Sequence, residues 1–82
     1  MQATFELSLY PLVNGYKTEV LDFISELHQF QNIEVVTNGL STQIFGDFDY
    51  IQTQVIPTLM KQVWAEHQAV LIVKMGKGIL KF

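Results

Sequence analysis

Apolar and polar positions alternate along the first ten residues. Phe5, Leu7 and Leu9 point one way and Glu6, Ser8 and Tyr10 the other, the period of a half-buried strand. Pro11 stops that strand, because proline offers no amide to a sheet ladder. Asn14-Gly15 marks a loop, and from Tyr16 the period becomes helical. Tyr16, Val20, Phe23, Ile24, Leu27 and Phe30 recur at three- and four-residue steps, leaving Lys17, Glu19, Glu26 and Gln29 for solvent. Asn14 or Thr18 can cap this helix, and Gln31-Asn32 ends it.

Ile33 to Thr37 is β-branched and reads as a second strand. Asn38-Gly39 then predicts a two-residue hairpin, since both central positions of a type I′ turn require positive φ. Leu40 to Phe45 returns as the third strand, with Thr37 facing Leu40, Val35 facing Thr42 and Ile33 facing Ile44. Gly46 breaks it, and Asp47 or Asp49 caps the next helix; Asp49 and Gln52 have the spacing of a capping box. Phe48, Ile51, Val55, Leu59 and Val63 form that helix's apolar stripe, beside Met60 and Trp64, with the tryptophan and the helical phenylalanines assigned to the core. Pro57 inside it predicts a bend near residues 53–57. From His67 to Lys74 the chain alternates weakly and is apolar on both sides, which suits a strand covered on both faces. Gly76 and Gly78 interrupt it, and residues 79–82 are expected to form a short terminal strand.

The order βαββαβ predicts an α+β fold, the ferredoxin-like sandwich: a four-stranded antiparallel sheet with two helices on one face. The first strand is expected between the third and the fourth. With 82 residues there is room for one domain, 1–82, and no repeat or linker is visible. A chain this small buries only ~60–65% of its unfolded surface, so covering a sheet face with another copy favours stability. Ten aromatic residues push the same way, towards a homodimer or homotetramer.

Composition narrows function mainly by exclusion. A net charge of −3 with only five basic residues argues against nucleic acid, whose binders carry basic stripes. The absence of cysteine rules out disulfides, thiolate metal sites and cysteine nucleophiles. No secretory signal is visible, and no apolar run approaches the ~18 residues of a membrane span. A cytoplasmic domain without membrane insertion is expected. His28 and His67 show no metal-ligand spacing, and there is no P-loop, dinucleotide fingerprint or Ser/His/Asp set. No cofactor and no enzymatic activity are therefore expected.

The chemistry that remains is on the open face of the sheet. Glu6, Ser8 and Tyr10 of the first strand are placed beside Ser41 and Gln43 of its neighbour. Such a patch must be satisfied by water, by a partner subunit or by a ligand. The first pattern, Ser8-Leu9-Tyr10-Pro11, and the second, Gly39-Leu40-Ser41-Thr42-Gln43-Ile44-Phe45-Gly46, resemble the YkoF family of thiamin and hydroxymethylpyrimidine binding domains. The likeness spans nearly the whole chain and implies the same fold in a single-module version.

What the resemblance implies is a small-molecule ligand, thiamin or its pyrimidine precursor, held on the open face or at a subunit interface. Ser8, Asn38, Ser41 and Thr42 are the candidates to pair with the aminopyrimidine edge. Tyr10 can stack or attract a cation, worth roughly 0.5–2 kcal/mol. Glu6 is the candidate for the cationic thiazolium, with Glu34 a weaker one. Pro11, Gly39 and Gly46 are expected to shape backbone. Association with a transporter is implied by the resemblance alone. Each assignment has a plainer counterpart: Thr42 as a core-side strand threonine, Tyr10 as an interface rim, Ser41 as a local turn bond. The competing readings are an oligomerisation domain whose sheet face is only an interface, and a small cofactor-free dimeric enzyme.

Overall fold

Alternation along Gln2–Pro11 builds the central strand β1, whose Ala3, Phe5, Leu7 and Leu9 face the core. The computed structural model describes all 82 residues. After β1 come α1 (Tyr16–Leu27), β2 (Ile33–Thr37), β3 (Thr42–Asp47), a helical stretch α2 over 48–66, and β4 (Ala69–Lys77). The antiparallel strands lie in the order β2-β3-β1-β4, so β1 sits between the third and fourth strands as the crossover argument requires. Phe23 and Leu27 of α1 and Ile51, Val55, Leu59 and Met60 of α2 close over one sheet face. Phe5 stacks on Phe48 at 6.0 Å between centroids.

The β2–β3 hairpin departs from the expected turn. Thr37 pairs with Thr42, Val35 with Ile44 and Ile33 with Gly46, leaving a four-residue loop at 38–41. Gly39 does not take positive φ. Instead Asn38 Oδ1 accepts the amides of Leu40 (2.8 Å) and Ser41 (3.0 Å), folding the loop around its own side chain. The register moves by two residues, so every strand residue keeps its face. Leu40 alone is displaced from the core side, and it lies almost fully exposed.

The helices also differ at their edges. α1 begins after Gly15 at φ 71°, with no side-chain cap from Asn14 or Thr18, and ends at Leu27 rather than Phe30. Asp47, not Asp49, caps α2: its carboxylate accepts the Tyr50 amide at 3.0 Å. Pro57 is accommodated without a break. The turn Ile51–Val55 widens so that the Ile56 amide reaches the Ile51 carbonyl, and Pro57 then falls in the first turn of Ile56–Glu66. Trp64 is not core; the residue is 59% exposed and its Nε1 donates to the Ala69 carbonyl at 3.0 Å.

β4 is a sheet edge covered on one face only, with Val70 and Ile72 about half exposed on the other. Residues 79–82 form no strand. Gly78, at φ 83°, turns the chain back across the open face of the sheet as a strap.

Candidate functional site

The two inner strands part company before they end. The β1–β3 ladder stops at Leu7–Thr42, while β1 continues beside β4 to Pro11–Ala69. No backbone hydrogen bond joins residues 8–11 to the 38–41 loop. The Asn38 side chain curls that loop into a compact turn, and this leaves the end of β1 as an open edge. A cavity of about 110 Å³ lies in the gap. Its polar wall is Ser8, Tyr10, Asn38, Ser41 and Thr42, and its apolar wall comes from Leu7, Leu9, Val20, Phe23 and Ile24.

Five of the six residues expected from sequence thus meet, but at the end of the sheet rather than across its open face. Glu6 does not line the cavity. Its carboxylate accepts from the Ser41 hydroxyl at 3.1 Å and sits 3.7 Å from Lys74 Nζ, tying the wall to the sheet behind it. Thr42 is buried, and its hydroxyl lies 3.2 Å from that of Thr37, so its first role is structural. The hydroxyls of Ser8 and Tyr10 take no part in hydrogen bonds within the chain. Donors and acceptors in a short arc over an apolar wall suit the edge of a small heteroaromatic ring.

Glu34 and Gln43 complete the polar side of the sheet. Glu34 is engaged by Lys81 at 2.6 and 2.7 Å, in the strap, and is remote from the cavity along β2. The strap itself is what sequence reasoning missed. Thr4 Oγ1 donates to the Gly78 carbonyl and accepts the Leu80 amide, both at 2.8 Å. The only signal for it was the pair Gly76 and Gly78, which interrupts the strand without saying where the chain goes.

A wider depression, about 370 Å³, lies elsewhere, between α1 and α2. Glu19, Asp22, Glu26 and Glu66 line it, and His67 lies at its end. None of these carboxylates joins an ion pair; the three in the chain use Asp47, Glu6 and Glu34. No group of three His, Asp or Glu side chains is placed to hold a metal. No helix is long and apolar enough to cross a membrane.

No protein-family model matches the chain, and no curated protein matches it. Solved structures do. A Streptococcus pneumoniae protein is 24% identical, with a TM-score of 0.81 over 98% of this chain and 90% of its own. A hypothetical protein of Methanocaldococcus jannaschii is 23% identical, with a TM-score of 0.80 over 99% and 84%. A candidate thiamine biosynthesis/salvage protein of Thermotoga maritima is 20% identical, with a TM-score of 0.78 over 95% and 85%. At such identities the likeness establishes the fold.

Proposed function

We propose that this chain is a non-enzymatic module that binds thiamin or its hydroxymethylpyrimidine part in the cavity between the end of β1 and the 38–41 loop. The observation that carries this reading is the gap itself, which gathers Ser8, Tyr10, Asn38, Ser41 and Thr42 around unpaired strand edge. One structural neighbour named for thiamine biosynthesis or salvage supports the choice of ligand. The cavity is well below the ~300–1,000 Å³ of a complete ligand pocket, so it suits one ring. Ser8, Ser41 and the free amide nitrogen of Asn38 pair with the pyrimidine edge, and Tyr10 flanks it. The rest of the ligand then lies outside, against a second copy in a homodimer or homotetramer. A cytoplasmic holding or delivering role, beside a transporter, belongs to the same proposal.

The test is a ¹⁵N-correlation NMR titration with thiamin and then with hydroxymethylpyrimidine. Saturable shifts at Ser8 to Tyr10 and Asn38 to Thr42 are expected with both, and ligand at 100 times its Kd should stabilise the fold by ~2.7 kcal/mol. Silence at these amides with both ligands at millimolar concentration sinks the reading. A second reading, an oligomerisation domain without ligand, is favoured by the half-exposed Val70, Ile72, Val36 and Tyr10 on the open face.

A further inference from the structure

Strand alternation puts Phe45 on the open face of the sheet, paired with Thr4 on one side and Glu34 on the other. An aromatic ring there should be exposed, yet Phe45 is 4% exposed. The strap covers it. Lys81 Nζ sits 4.9 Å from the ring centroid while it meets both oxygens of Glu34 at 2.6 and 2.7 Å. An ammonium between an aromatic face and a carboxylate is the arrangement by which proteins recognise organic cations. Here the cation belongs to the chain itself.

We propose that Phe45 and Glu34 form a binding site for an organic cation with weakly hydrated charge, such as a methylated ammonium, and that Lys81 occupies it as a tethered internal competitor. The site stands at the other end of β3 from the cavity, four residues beyond Ser41 and about 13 Å away at strand spacing, and needs nothing from the reading above. Three features make Lys81 displaceable. The pair is half exposed on both sides, with side chains 47% and 54% accessible, so solvent screens it. A lysine ammonium is strongly hydrated and loses more on entering the site than a methylated one. Apart from Lys81, the strap's hydrogen bonds are the two from Thr4 and the Gly78 backbone bond to the Gln2 carbonyl, and Leu80 packs over Gly76, all on the near side of its path. Residues beyond Leu80 can therefore lift while Thr4 still holds the root.

A tether this short presents Lys81 to the site at an effective concentration on the order of millimolar. An external cation must outcompete it. Tetramethylammonium chloride titrated into the wild type and into Lys81→Ala, with sodium chloride at matched ionic strength as the blank, reads this directly through the Phe45 ring protons and the Leu80 amide. Removing one exposed ion pair and one exposed cation–π contact should lower the half-saturating concentration about three- to ten-fold. Adding Glu34→Gln to Lys81→Ala should raise it again. Equal midpoints in the wild type and Lys81→Ala, or ring shifts no larger than those in sodium chloride, overturn the proposal. If Lys81→Ala gives a poor spectrum, Thr4→Val loosens the strap with Lys81 in place, and an unchanged midpoint there overturns it as well.

Discussion

At Gly46 one added methyl group has nowhere to go. A Cβ built there meets the Asn32 carbonyl at 3.0 Å, Ile33 Cγ2 at 3.2 Å and Ile51 Cδ1 at 3.4 Å. The backbone oxygen cannot swing aside, so Gly46→Ala should destabilise the fold by about 1–3 kcal/mol. Urea unfolding should show a lower midpoint with an unchanged slope. The same residue explains why the hairpin departs from its strongest local signal. Opposite Gly46, Ile33 fills the space the missing side chain leaves, and that pairing requires four residues in the loop. Asn38 can serve either turn, by its backbone in the short one or by its side chain in the long one. Local sequence carried both options, and a contact between residues thirteen apart in the chain, Ile33 and Gly46, chose between them. Strand period alone brought Ser8, Tyr10 and Ser41 together, while Asn38 and Thr42 joined them only through the family resemblance; the seat of the five at the end of the sheet was not legible, because that depends on the longer loop.

Elements were more legible than their junctions. Strand and helix periods located all four strands and both helices, since each buries one apolar face and only β4 leaves its other face apolar too. Pro57 announced a disturbance, but the wide turn at Ile51–Val55 that absorbs it is set by packing against β1 and α1. Asp47 as a cap was readable as one of two carboxylates. The Tyr50 amide first, and then the hydrogen bond from the Met1 amino group, hold the Asp47 carboxyl below its ordinary value. A lowered value in the folded chain means stabilisation that is full above the ordinary carboxylate range and lost as pH falls through the folded value. Asp47→Asn keeps an acceptor at the helix start but cannot titrate. The wild type should therefore melt higher than Asp47→Asn near neutral pH, and the gap should close on acidification. A gap constant with pH would show that the charge at Asp47 adds nothing to the cap.

Across the whole molecule the two faces carry different burdens. The helix side gathers four unpaired carboxylates in its groove, which account for more than the entire net charge of −3. The sheet side keeps Val70 and Ile72 half exposed on an edge strand next to Tyr10, a position natural sheets normally blunt. If a second copy covers this face, Ile72→Lys should turn the assembly into monomers in sedimentation velocity while the far-UV spectrum stays native. A wild type that sediments as a monomer at every concentration removes the interface from both functional readings. The strand order has a temporal consequence as well. β1, at the centre of the sheet, pairs with β4 from Ala3–Lys77 to Pro11–Ala69, partners 58 to 74 residues apart in the chain. At about 5–20 residues per second of synthesis, the first strand waits roughly 3–15 seconds for its last neighbour. During that interval β1 keeps one edge unpaired beside its apolar Phe5, Leu7 and Leu9, so the newborn chain is most prone to aggregation just before β4 emerges.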